Sequence, residues 1–414
     1  MVATMRSLPV LQAGRLDSID LADPRTHAEC DISEIWEYLR TNIPAYRHHS
    51  TQHSKSFWVI SRYDDAAAIY RDGDRFTSQR GNVLDTLLAG GDPGGGKMAV
   101  VTDGRRHADL RAIMLKAFSP RALARVVENI RSATTKLLAD VISTGTCDFA
   151  SDIAARIPLA AICDMMAVPD ADRHHILQLT STALAGESDA PNAEDSWAAK
   201  NEILMYFSDL TQDRRDAPRD DVVSLLARAE VAGEPLSHEE VVLNCYSLIL
   251  GGDETTRYAM IGGALALIEH PQAWRVLKDG QVSVESAVEE VLRWTTPTLH
   301  AGRTATQDVG LHGELIETGD IVTTWNISAN RDERKFGQPG LFDLSRKPNK
   351  HLTFAYGPHF CLGAYLARVE IGAVLTGLRD MVSRMELTDP PKPVYSNFLH
   401  GMSRLPVSFI PEPA

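Results

Sequence analysis

The chain has 414 residues, 44% of them apolar and 23% charged, with a formal net charge of −13. It is long enough for a large core and too hydrophobic for a disordered protein, and its negative balance excludes a nucleic-acid binder, which needs a basic footprint to displace counterions. Met1 to Asp17 holds no apolar run of signal or membrane-spanning length, so a cytoplasmic protein without a membrane partner is expected.

In chain order, Phe57–Ser61 reads as a short strand. Ala89–Lys97, AGGDPGGGK, reads as a glycine-rich loop; without a K-[ST] ending or a preceding strand it does not qualify as a phosphate loop. Ser119-Pro120 opens a helix over Arg121–Val141, and a second helix covers Asp152–Met166. Gly186–Asp195 is acidic and reads as a linker. Glu239–Glu269 is long and apolar enough for a buried central helix, and Val284–Trp294 is a helix closed before Pro297. Val309–Val322 divides into short strands at His312-Gly313 and Thr318-Gly319-Asp320, and Leu405–Ile410 is a last strand. The expectation is one domain over 1–414, mainly α with a minor β portion, residues 1 to about 25 being an N-terminal extension.

Five cysteines, Cys30, Cys147, Cys163, Cys245 and Cys361, show no C-x-x-C spacing, which argues against a disulfide framework or a structural zinc site. Cys361 differs from the others in its surroundings: Gly357 and Gly363 flank it, an apolar helical segment follows, and Phe354 lies seven residues ahead. A metal-binding thiolate needs backbone N–H groups or a helix N-terminus near its charge, and flanking glycines let the backbone fold around the sulfur. In the central helix, Gly251-Gly252-Asp253-Glu254-Thr255-Thr256 puts poor helix formers in a strong helix, the local inconsistency expected of a functional segment. Glycine there allows a flat ligand close, and the Thr255 hydroxyl can leave its backbone acceptor. His107 and Arg111 are one turn apart and can face one way.

Phe354 to Gly363 resembles the F-x-x-G-x-x-x-C-x-G haem-binding signature of the cytochrome P450 family in every specified position. The resemblance extends from about Phe57 to Ile410 and implies a triangular helical domain with a small β-rich region. It also implies a haem b cofactor and a monooxygenase that inserts one atom of O2 into a small organic substrate. Cys361 would be the thiolate ligand of the iron, with Phe354 shielding it and Gly252 against the haem. Glu254 and Thr255 would be the acid–alcohol pair that delivers protons during oxygen activation. His107, Arg111, Arg303 and His359 would hold the propionates. Glu290 and Arg293, an E-x-x-R pair, would brace the cysteine loop; Leu341 stands where many members carry a basic third partner, leaving Arg331, Arg334 and Arg346 as candidates.

By the same resemblance, substrate contacts come from Ser78–Val100, Ala183–Ala199, the central helix, Thr296–Ala301 and Asn397–Met402, with Leu248, Gly251, Thr298, Leu299, His300, Phe398 and Leu399 as candidates. Electrons would come from a ferredoxin and its reductase. The implied substrate is a bacterial natural-product intermediate: a polyketide, a macrolide, or an aromatic or acyl group, free or bound to a carrier protein. Two alternatives stand beside this: a peroxide-driven or ring-coupling haem enzyme, and a haem-free module of the same fold that recruits partners.

Overall fold

The computed structural model describes residues 6–7, 16, 19–184 and 193–413. Two hydrophobic periods build it. A period of two near the N-terminus makes a sheet, and a period near 3.6 makes the helices that fill most of the remainder. The sheet runs β1 (Ala45–Ser50), β2 (Lys55–Ile60), β3 (Phe76–Thr77), β4 (His300–Ala305) and β5 (Ile321–Trp325), in spatial order β1-β2-β5-β4-β3. β1 and β2 form a hairpin in register Ala45↔Ile60, and β5 joins β2 in parallel, Val322↔Trp58. Strand Phe57–Ile60 is therefore apolar on every residue, being buried on both sides between its neighbours. A second sheet of three strands, Val382–Leu387, Pro406–Pro411 and Thr146–Asp148, closes the other end of the chain.

Seven helices matter for the site: α1 (Leu84–Leu88), α2 (Gly104–Ala117), α3 (Arg156–Met166), α4 (Arg173–Leu184), α5 (His238–Glu269), α6 (Val284–Thr295) and α7 (Ala364–Met381). α5 starts on a capping box, with the Ser237 hydroxyl accepting from Glu240 N–H and the Glu240 carboxylate accepting from Ser237 N–H. Its 32 residues span about 48 Å at 1.5 Å per residue. It carries few charges and packs on α3, α4, α6 and α7. α6 ends at Thr296, which leaves the helical region ahead of Pro297.

The sequence-predicted elements are present with small shifts. The helix expected from Arg121 begins at Ala124, after a turn in which Ser119 Oγ accepts from Ala122 N–H. The helix expected from Asp152 opens as a π turn, Ala150–Ala154, before α3. Residues 186–192 of the expected acidic linker lie outside the described residues. Among the described residues, no helix is long and apolar enough to cross a membrane.

Candidate active site

α5 crosses above α7, and a cavity of about 1750 Å³ lies between them. That exceeds the space a drug-sized ligand needs, leaving room for a large flat group and a substrate together. Cys361 stands at its floor, its accessible surface turned to the cavity. The loop around it is tightly specified. Cys361 N–H donates to the Phe354 carbonyl at 3.0 Å. Gly357 has φ +73°, and a Cβ there would sit 2.7 Å from the Tyr70 carbonyl oxygen, so only glycine fits. Burial raises the Cys361 thiol pKa; the N–H groups of Gly363 and Ala364 and the charges of Arg111 and Arg368 oppose it. Those groups suit a thiolate, and a bound metal would tip the balance to that form. Phe354 is buried at the cavity wall under the Arg368 guanidinium, 4.6 Å from its ring centre.

A cationic corner lies beside the thiol. The rings of His107 and His359 stack at 4.1 Å. His359 Nε2 donates to Asp103 at 2.9 Å. Against the opposing pull of burial, donors from His359, Thr77 and Ser78 bring Asp103 down to about 2. Burial, then the charges of His359 and Arg111, lowers His107 to about 4, so it offers a neutral N–H. Arg111 lines the cavity, whereas Arg303 is buried behind it, over the Tyr70 ring and donating to the Gly302 carbonyl. Burial lowers both guanidinium pKa values. Among the described residues neither arginine pairs with a carboxylate, so two cations stand without anions. Two propionates fit that deficit. Among the described residues no cluster of three or more His, Cys, Asp or Glu side chains could hold a bare metal ion, and a macrocycle that brings its own nitrogens fits a single thiolate.

The opposite wall is α5. Thr255 faces the cavity with its hydroxyl still on the Gly251 carbonyl, 3.2 Å away. Glu254 is fully buried and points away, to Ser181 Oγ on α4 at 2.9 Å and Arg257 at 3.0 Å. Gly252 lines the cavity beside Gly251, and a Cβ on it would lie 3.2 Å from Ile162 on α3, so its bareness also admits that neighbouring helix. Leu248, Gly251, Thr298, His300, Phe398 and Leu399 line the cavity, whereas Leu299 is buried outside it in a cluster with Leu84 and Trp325.

Several participants had no signal in spacing. Asp253 is buried and accepts from Thr180 on α4 at 2.9 Å. Burial, then the charge of Glu254, pushes it up to about 8. Glu370 on α7 rises well above the carboxylate range for the same first reason, with Asp253 second. The third member of the Glu290–Arg293 network is Arg346, 3.1 Å from Glu290, while Arg331 stacks on Trp294 and Arg334 pairs with Glu333.

The cytochrome P450 family profile matches residues 283–405. Cytochrome P450 NovI of Streptomyces niveus is 47% identical over 403 residues, covering 97% of this chain and 99% of that protein. The chain belongs to the cytochrome P450 family. It is a P450 monooxygenase, an oxidoreductase of a family that binds haem b. The methyl-branched lipid omega-hydroxylase of Mycobacterium tuberculosis is 38% identical over 85% of the chain and 84% of its own length. Among solved structures, P450 OxyD, involved in the biosynthesis of vancomycin-type antibiotics, superposes with a TM-score of 0.86 at 34% identity, covering 95% of this chain and 100% of its own. P450BioI in complex with an acyl carrier protein bearing hexadec-9Z-enoic acid matches with a TM-score of 0.81 at 27% identity, covering 92% and 98%.

Proposed function

We propose that this P450 oxidises a natural-product intermediate presented on a carrier protein, with Cys361 as the thiolate ligand of its haem iron. The observation that carries the haem part is the solitary Cys361 sulfur on the floor of a large cavity, beside two arginines without anions. Similarity to NovI and OxyD supports the biosynthetic setting, and the carrier-bound ligand of P450BioI supports a tethered substrate.

When bound, the haem supplies the oxygen-activating chemistry, with electron density pushed from the thiolate. The chain's residues do the remainder. Gly363 and Ala364 hold the sulfur's charge, and His107, Arg111, Arg303 and His359 take the propionates. Glu254, held by Ser181 and Arg257, is the acid next to Thr255, whose hydroxyl passes protons into the cavity. Leu248, Thr298, Phe398 and Leu399 give the substrate an apolar seat and exclude water. A ferredoxin and its reductase deliver the electrons.

The test is a carbon monoxide difference spectrum of the reduced protein. Wild type gives the long-wavelength Soret band of a thiolate-ligated haem, and Cys361→Ser loses it. A band that survives in Cys361→Ser overturns the ligand assignment. Substrate class is tested by spin-state titration with acyl and aromatic groups loaded on carrier protein and in free form. Equal response to both forms overturns the carrier part.

A further inference from the structure

The stacked rings of His107 and His359 belong to two elements, α2 and the cysteine loop, and one residue holds both. Asp103 immediately precedes α2. An aspartate at that position usually turns its side chain onto the N–H groups of its own helix. The Asp103 side chain makes no such bond. What α2 receives from it is the main-chain carbonyl, which accepts from His107 N–H at 3.4 Å. The carboxylate is committed to three groups outside the helix. Oδ1 accepts from His359 Nε2 at 2.9 Å, and Oδ2 accepts from Thr77 Oγ1 at 2.6 Å and Ser78 N–H at 2.7 Å.

Both oxygens therefore have donors, and the side chains of Asp103 and His359 are each only 12% exposed, so the arrangement is shielded from water and single. Asp103 does not line the cavity, whereas His107, Arg111 and His359 do. Its charge still acts on His107, Arg303 and His359, three of the four groups assigned to the propionates. Ser78 opens the chain segment that Asp103 ends, and that segment brings Asn82, Val83, Met98 and Ala99 to the cavity. The same carboxylate thus ties both ends of that segment to the cysteine loop. A carboxylate behind a ligand-binding histidine fixes the ring for whatever binds on its other side.

We propose that Asp103 is a positioning residue for the haem: its carboxylate sets His359 and its carbonyl sets His107, so that the stacked pair meets a propionate in one arrangement. It touches neither cofactor nor substrate and acts through the two rings. The inference rests on the assignment of His107 and His359 to the propionates.

Haem transfer from the ferric full-length enzyme to excess apomyoglobin, and the reduction potential, are measured for wild type, Asp103→Asn, His359→Phe and the double variant. The carbon monoxide spectrum checks the thiolate. Asp103→Asn turns one acceptor face into a donor and removes the charge. It should release haem about tenfold faster, the scale of losing an orienting partner behind a ligand, and keep the thiolate-ligated band. Its potential should move positive, because loss of a nearby negative charge favours the ferrous state. His359→Phe should also release haem faster, and in that background Asp103→Asn should lose most of its effect on release. Wild-type release in Asp103→Asn, or an effect undiminished by His359→Phe, overturns the inference. So does faster release from Asp103→Asn at an unchanged potential, the mark of a merely structural residue. If His359→Phe keeps its haem as wild type does, the propionate assignment fails and the inference with it. Should Asp103→Asn not fold, Thr77→Val removes one bond to the carboxylate and keeps its charge. That variant should release haem faster, by a smaller factor, and wild-type release from it overturns the inference.

Discussion

Two glutamate–arginine pairs, each three residues apart on a buried helix, sit at opposite ends of this molecule's chemistry. Glu290–Arg293 on α6 has no exposed surface on either side chain, and Glu254–Arg257 on α5 has almost none. Their surroundings differ. Glu290 accepts from Arg293, Arg346, Asn349 and Asp343 N–H, and Arg293 reaches the carbonyls of Asn330, Pro339 and Leu341. Near Glu254, by contrast, Glu254 Oε2, Asp253 Oδ1 and Arg257 Nε all lack partners. A saturated buried network repays its desolvation and holds one geometry; an unsaturated one retains groups that can exchange partners or protons. The same pattern of letters serves as a brace in one helix and as a reactive cluster in the other.

The largest expected effect comes from breaking the saturated pair. Arg293→Ala leaves Glu290 buried with a charge deficit and strips three carbonyls of their donor. The destabilisation should be about 3–5 kcal/mol. Thermal unfolding would show it, together with loss of haem retention, because Asn330 links this network to Leu352 and Thr353 just before the cysteine loop. A variant that melts within a degree of wild type would end the brace reading.

Breaking the unsaturated cluster should act on rate instead. Glu254→Gln is expected to lower turnover about 10²–10⁴-fold, the size of a lost proton-transfer group. Gln keeps the size of Glu254 and can still accept from Ser181 and Arg257, so the loss of stability should be smaller than that of Arg293→Ala. A solvent isotope effect larger than that of wild type would mark slowed proton delivery; unchanged turnover would move the role elsewhere. Asp253 then gives a pH-dependent comparison. Its folded pKa is raised from 3.8 to about 8, so the folded state binds its proton more tightly than the unfolded state. Its contribution to stability is full below the ordinary carboxylate pKa and declines as pH climbs towards about 8. Asp253→Asn removes that decline. The melting-temperature advantage of Asp253→Asn should be absent near the lower limit and grow with pH across the window; a constant offset would refute it.

Much of this was legible in the sequence where chemistry is carried by near neighbours. Cys361, its glycines and Phe354 lie within ten residues, and α5 and α6 follow from periodicity and caps. What was not legible depends on groups brought together by the fold. Asp103 and His359 are 256 residues apart. Asp253 was given no role because nothing beside it in the chain says that Thr180 and Glu370 lie against it. Gly252 stands both on the cavity wall and against Ile162, and spacing does not say which of these neighbours its bare Cα serves.

Leu341 gives the smallest effect and the sharpest check on the brace. It occupies the position where a basic third partner was sought, yet its side chain is 55% exposed and only its carbonyl joins the network. Arg346 supplies the charge from five residues further on, holding Glu290 through Nε and the carbonyls of Gly337, Gln338 and Leu341 through its other nitrogens. Both Glu290 oxygens are already served. An added guanidinium at 341 would point to solvent and gain only a screened interaction. Leu341→Arg should therefore change stability by no more than about 0.5 kcal/mol. In the Arg346→Met background it should restore part of what that substitution removes, since an acceptor is then free. A clear gain from Leu341→Arg in the wild-type background would mean that Glu290 is not saturated, and the contrast between the two pairs would lose its basis.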